Sequence, residues 1–206
     1  MGCNASSDVH IDNFSPEPKP RSRRSVSRPD YFYKVTLMGN VNVGKSTIFN
    51  KFLGNEVKTS EYSMSIGFSY QQKSVTLADG TNVVLEVWDT IGSVENRELV
   101  AVFNSLTRAA ILVFDYSSKS SLEGVRFWLK EITPRVQANE LLMVVVGNKS
   151  DLKGTKQQEV SEEDVKAVLE EFEMEDCPVL ELKAITGENV QDLFSKVASD
   201  CYANFR

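Results

Sequence analysis

From Tyr31 onward, apolar positions fall into two periodicities that take turns along the chain. Tyr33–Met38 (Tyr-Lys-Val-Thr-Leu-Met) predicts a short strand, followed by a glycine loop and a helix over about Ser46–Leu53. Phe68–Leu77 and Asn82–Trp88 alternate apolar with polar residues around the turn signal Ala78-Asp79-Gly80, which predicts a β-hairpin. Ala109–Phe114 and Leu141–Val146 are unbroken apolar runs, the pattern of strands covered on both faces of a parallel sheet. Between them, Leu122, Val125, Leu129 and Ile132 recur at helical spacing over Ser121–Ile132, and Pro134 is expected to end that helix. Ser161-Glu162-Glu163-Asp164 opens a helix reaching Phe172, and Asn189–Tyr202 is a final amphipathic helix. Strands alternating with helices predict a doubly wound α/β fold, a three-layer sandwich whose ligand sits at the carboxyl ends of the strands.

Residues 1–30 do not share this patterning. They are rich in Ser, Pro and Arg, and predict a disordered arm ahead of one domain at 31–206. A chain of 206 residues with 41% hydrophobic and 25% charged side chains can bury a full core. No run approaches the roughly 18 apolar residues that span a bilayer. The three cysteines, Cys3, Cys177 and Cys201, are too scattered for a disulfide framework or zinc site and suit a reducing compartment. The single histidine, His10, lies in the arm, which leaves the domain without histidine acid–base chemistry. The net charge of −6 hides an asymmetry, because Lys19, Arg21, Arg23, Arg24 and Arg28 crowd into the arm. So acidic a domain argues against nucleic acid as a partner, while the basic cluster fits an anionic membrane surface.

Gly39-Asn40-Val41-Asn42-Val43-Gly44-Lys45-Ser46 satisfies G-x-x-x-x-G-K-[ST] between a strand and a helix. Backbone N–H groups of such a loop, with the helix N-terminus behind them, make a cradle for phosphate. Lys45 would reach the β- and γ-phosphates and Ser46 would ligate Mg²⁺. The loop names a nucleoside triphosphate and leaves the base open. Asn148-Lys149-Ser150-Asp151 follows the buried strand and addresses the base. A carboxylate there accepts both N1–H and N2–H₂ of guanine, a donor pair that adenine lacks. Asn148 can tie the base loop to the phosphate loop, and the stem of Lys149 can lie over the ring.

These residues resemble the Ras superfamily of small GTPases, its Rab branch in particular, over essentially all of 32–206. The resemblance implies a six-stranded, mostly parallel sheet with one antiparallel edge strand, the small G domain of the P-loop NTPases. Trp88-Asp89-Thr90-Ile91-Gly92 resembles W-D-T-A-G, which implies Asp89 at Mg²⁺ and the Gly92 amide at the γ-phosphate. Ser65-Ile66-Gly67-Phe68-Ser69-Tyr70 resembles T-I-G-x-x-F of switch I, which puts Ser65 at the Mg²⁺-binding threonine. That segment is one or two residues longer than in relatives, so Ser63 is an alternative. Ala184-Ile185-Thr186-Gly187 resembles A-K-T-G, with the Ala184 amide at the guanine oxygen. The nucleotide-binding set implied is therefore Asn40, Asn42, Val43, Gly44, Lys45, Ser46, Thr47, Val57, Ser65, Gly92, Asn148, Lys149, Asp151, Lys183, Ala184 and Ile185. Tyr70, Trp88 and Phe103 fall on the aromatic positions by which Rabs recruit effectors, and a core role for some of them is the alternative.

Four departures fall on functional positions. Ser93 stands where a glutamine would orient the attacking water, and is too short for that task. Val41 puts a branched side chain where the space beside the γ-phosphate must stay open. Val57 replaces a phenylalanine against the guanine ring, and Lys183-Ala184-Ile185 replaces S-A-K. The first two predict slow hydrolysis, with Lys45, Ser93 and Gly92 as the catalytic positions, and the last two predict quick nucleotide exchange.

Met1-Gly2-Cys3-Asn4-Ala5-Ser6 matches M-G-x-x-x-[ST], the N-myristoylation signal, and Cys3 is placed for palmitoylation. A single myristoyl chain holds a membrane only marginally, so Cys3 and the basic cluster each offer the second signal needed. Ser22, Ser25 and Ser27 interleave that cluster, so phosphorylation would weaken it. The chain carries no C-a-a-X ending, and Cys201 reads as an ordinary helix residue. It resembles the small class of myristoylated, unprenylated endosomal Rabs of plants and protists. The expected function is a monomeric, membrane-anchored GTP/GDP switch at an endosomal or other cytoplasmic membrane face. Its partners would be effectors, an exchange factor and an activating protein. A pseudo-GTPase that holds nucleotide without turnover is the alternative. An ATP-dependent P-loop kinase fits less well, given Asn148–Asp151 and no lid segment.

Overall fold

The computed structural model of the chain describes residues 31–55, 69–90, 92 and 106–206. In chain order the elements are β1 (Tyr31–Met38), α1 (Lys45–Leu53), β2 (Ser69–Thr76), β3 (Asn82–Asp89) and β4 (Ala109–Asp115). There follow α2 (Lys119–Gln137), β5 (Leu142–Asn148), α3 (Glu162–Glu171), β6 (Val179–Leu182) and α4 (Val190–Phe205). The six strands form one sheet in the order β2-β3-β1-β4-β5-β6. Only the β2–β3 hairpin at one edge is antiparallel, and every other pairing is parallel. This is the expected mostly parallel sheet with one antiparallel edge strand.

Alternation along the buried strands assigns the two faces. Ala109, Ile111 and Val113 of β4 join α1 and α4 through Ile48, Phe52, Leu193 and Phe194. Ala110, Leu112 and Phe114, one position out of phase, join α2 and α3 through Leu122, Trp128, Leu129 and Val165. Every residue of β4 is buried, which is why the sequence shows a continuous apolar run there. Phe52 and Phe194 stack with ring centroids 3.8 Å apart and fix α1 against α4. At α3, Ser161 and Asp164 exchange side-chain and backbone hydrogen bonds in a complete capping box.

One boundary differs in kind from expectation. Pro134 does not end α2, which runs on to Gln137. Proline removes a single backbone donor and lies in the helix's final turns, where few bonds remain to be lost. Val136 beyond it packs against the same cluster as Ile132, and the Arg135 guanidinium donates to Thr107 O at 2.9 Å. Asn139, with φ +56°, then turns the chain into β5. β1 starts at Tyr31 rather than Tyr33 because Tyr31 pairs with Val83 and meets Tyr202 edge-on at 4.8 Å. α4 reaches Phe205, whose ring packs against the core on the same side.

Candidate nucleotide-binding site

Strand order reverses at β1, which has β3 on one side and β4 on the other. The crevice beyond the carboxyl ends at such a switch point is where a doubly wound sheet places its ligand. Gly39–Gly44 crosses that crevice and hands over to α1 at Lys45. Asn42 and Gly44 both take left-handed backbone conformations, φ +66° and +101°, and bring the loop back onto the helix N-terminus. Asparagine is among the few residues that adopt such dihedrals readily.

Asn148 holds the site together. The residue is 3% exposed; its Nδ2 donates to Val43 O at 2.8 Å, and its Oδ1 accepts from the Ala184 amide at 3.0 Å. One residue thus joins the phosphate loop, the end of β5 and the turn after β6. Gly44 makes room for this link, since a Cβ there would lie 2.1 Å from Asn148 Nδ2. The Ala184 amide, expected at the guanine oxygen, is engaged by Asn148 in this arrangement.

Lys45 is buried, and its ammonium donates to Gly39 O at 2.9 Å and Asn40 O at 2.7 Å. An ammonium has three donors, so one is left unspent among the described residues and can serve an anion in the cradle. Burial lowers its pKa to about 8, with the Asp89 carboxylate opposing the shift. Asp89 ends β3 and is itself buried, which raises its pKa against a hydrogen bond from Ser46 and the charge of Lys45. Asp89 Oδ1 is fully enclosed and has no hydrogen-bond partner among the described residues. An orphaned carboxylate oxygen beside a hydroxyl, both hard oxygen donors, fits a divalent cation that keeps most of its own water.

The sign of the Lys45 shift gives a measurable consequence. Its folded pKa lies below the ordinary 10.5, so the buried charge costs stability below about pH 8, and the cost disappears as pH rises toward the unfolded value. Urea midpoints of the nucleotide-free chain should therefore climb from pH 8 relative to a Lys45→Met variant. The comparison removes the opposing effect of Cys177 and Cys201, whose thiols burial raises to about 11 and about 12. Parallel pH profiles in the two proteins would contradict the assignment.

Two cavities flank the loop. On the base side, Thr47, Asn148, Asp151, Lys183, Ala184 and Ile185 line a pocket of about 520 Å³. Lys149, at φ +60°, swings the chain from β5 into a short 3₁₀ turn, Ser150–Leu152, that carries Asp151. On the other side a cleft of about 690 Å³ is lined by Val41, Gly92, Asp115, Ser118 and Lys149. Gly92 touches the loop backbone there, since a Cβ on it would lie 2.4 Å from Asn40 C and 2.5 Å from Val41 N. Val41 is 39% exposed.

The structure brings Asn42, Val43, Gly44, Lys45, Ser46, Thr47, Asp89, Gly92, Asn148, Lys149, Asp151, Lys183, Ala184 and Ile185 to this one end of the sheet. The Asn40 side chain is turned elsewhere. It donates to Ser120 O at 3.0 Å and packs on Gly124 of α2, where a Cβ would come within 2.1 Å of it. Only its backbone belongs to the cradle. Tyr70 and Trp88 stack across the β2–β3 hairpin with centroids 4.7 Å apart, and Lys34 Nζ lies 4.5 Å from the Trp88 ring. Tyr70 is 53% exposed, so it is a surface residue rather than core. Cys201 is buried in α4, an ordinary helix position as expected. Ser63, Ser65, Val57, Ser93, Phe103, Gly2 and Cys3 lie outside the described residues.

Sequence reasoning missed Asp115. It is buried at the end of β4, pairs with the Lys149 ammonium and accepts from the Ser117 amide at 2.8 Å. The available signal was its position, the first polar residue after a fully apolar strand at the edge where ligands bind.

The fold and the cradle define a mononucleotide-binding domain of the phosphate-loop class. Residues 34–203 match the Ras family. The yeast GTP-binding protein YPT1 (Saccharomyces cerevisiae) is 36% identical over 173 residues, 84% of this chain and 80% of that protein. RABA1g of Arabidopsis thaliana is 34% identical over 84% of this chain and 76% of its own length. Rab-5B of Plasmodium falciparum is 28% identical over 100% of this chain and 96% of its own. The chain belongs to the Ras family of small GTPases, on its Rab branch.

Proposed function

We propose that this chain is a membrane-anchored Rab-like switch in vesicle or endosomal traffic that binds GTP or GDP with Mg²⁺ and hydrolyses GTP slowly. The observation that carries the guanine-nucleotide reading is the Asn148 bridge, which ties the phosphate loop to the Ala184 turn beside a cavity that Asp151 also lines. Asp151 would accept from the base edge, while the free donor of Lys45 and the amides of Val43–Ser46 would hold the phosphates. Mg²⁺, when bound, would neutralise β- and γ-phosphate charge, held by Ser46, by Asp89 and by Ser65 or Ser63. The Gly92 amide would meet the γ-phosphate. Fluorescent GDP should bind the purified chain and be displaced by GTP but not by ATP. Displacement by ATP at equal concentration would refute the reading.

Slow turnover rests on Val41 and Ser93. Val41 stands in the cleft that Gly92 also lines, so its side chain occupies space that a catalytic glutamine or an activating protein's arginine would use. The same observation favours the second reading, a pseudo-GTPase that keeps GTP as a structural ligand. Tyr70 and Trp88, with Phe103, would present the effector surface, and an exchange factor would recharge the switch. The chain would work as a monomer.

The anchor would be the arm of residues 1–30, through acyl groups on Gly2 and Cys3 and through the basic residues between 19 and 28. Among the described residues no helix is long and apolar enough to cross a membrane. A Gly2→Ala variant is expected to move from the membrane pellet to the supernatant on fractionation of cells. Unchanged pelleting would remove the anchoring claim and leave the nucleotide site untouched.

A further inference from the structure

Lys183 begins the turn after β6, where its carbonyl accepts the Thr186 and Gly187 amides at 3.1 Å each. Its ammonium lies 3.9 Å from Asp151 Oδ2, and both side chains line the base-side cavity. That separation is too long for a hydrogen bond, so charge couples the two groups while the ammonium donors stay unspent among the described residues. Leu152 and Ile185 give the same cavity apolar walls.

The chemistry of purine edges gives this pair a consequence. Guanine offers two donors to a carboxylate, N1–H and the C2 amino group. Xanthine keeps N1–H but carries a carbonyl oxygen at C2. A carboxylate alone rejects that oxygen, because two acceptors face each other and neither is satisfied. A lysine ammonium beside the same carboxylate supplies the missing donor. Adenine gains nothing, since its N1 and C2 positions carry neither the N–H that the carboxylate needs nor an acceptor for the ammonium beside it.

We propose that Lys183, beside Asp151 in the base-side cavity, makes this site tolerant of a purine with an acceptor at C2, so that it takes xanthosine nucleotides beside guanosine ones. The proposal rests on the guanine-nucleotide reading of the cavity. It assigns Lys183 as a specificity-determining residue, and because both groups are partly exposed, salt should weaken the effect.

The test is competition of GDP and XDP against fluorescent GDP on the full-length chain, in wild type, Lys183→Ser and Lys183→Arg, at low and high salt. The expected preference for GDP over XDP is smaller in wild type than in Lys183→Ser by about tenfold or more. Lys183→Arg keeps the small preference, and high salt moves wild type toward the serine variant. Equal GDP/XDP ratios in wild type and Lys183→Ser, with GDP still bound, overturn the role of Lys183 alone. Failure of every protein to bind GDP overturns the guanine-nucleotide reading and this proposal with it.

Discussion

Replacing Asn148 with alanine is expected to destabilise the domain by about 2–4 kcal/mol and to weaken GDP binding roughly 100-fold. The substitution strips partners from two groups in the protein interior, the Val43 carbonyl and the Ala184 amide. Each such orphan costs about 1–3 kcal/mol where water does not replace the lost partner. A void opens beside Gly44, which has no side chain to fill it. Binding suffers beyond stability, because the phosphate loop and the Ala184 turn lose the link that sets their spacing. Urea unfolding and fluorescent-GDP titration measure the two effects separately. A variant with the wild-type midpoint and affinity would show that the bridge is incidental.

The second large effect concerns turnover. The double variant Val41→Gly, Ser93→Gln is expected to hydrolyse GTP in a single-turnover assay at least about tenfold faster, a barrier lower by about 1.4 kcal/mol. A glutamine at 93 supplies the group that orients water, and glycine at 41 clears the cleft beside it. Gly92, the residue before Ser93 in the sequence, touches the Asn40–Val41 peptide, and both substitutions are aimed at the same step, attack of water on the γ-phosphate. Their effects should exceed the sum of the single variants, because an oriented water needs both the glutamine and the room for it. Additive or absent acceleration would place the slow step elsewhere.

Much of this was legible because the relevant physics is local. The continuous apolar runs of β4 and β5 announce strands buried on both faces, and the G-x-x-x-x-G-K-[ST] spacing needs only a strand before it and a helix after it. Asn148 and Asp151 follow from the end of a buried strand, while Asp89 came only with the resemblance of Trp88–Gly92 to W-D-T-A-G. What stayed hidden depends on tertiary partners. Pro134 carries a local stop signal, but Val136 and Arg135 still find partners beyond it and the helix continues. Asn40 belongs by motif to the cradle, yet its side chain faces α2 because Gly124 leaves a space there. Lys183 read as a weakened base contact, and only the fold shows its charge beside Asp151.

A GTP-binding switch with a slow off-step is tested most directly by the nucleotide that stays with the full-length chain through rapid purification from cells, extracted and resolved by ion-exchange chromatography. Mostly GTP is expected, because slow hydrolysis and quick exchange would both favour the triphosphate where GTP is abundant. Mostly GDP, or an adenine nucleotide, would contradict it.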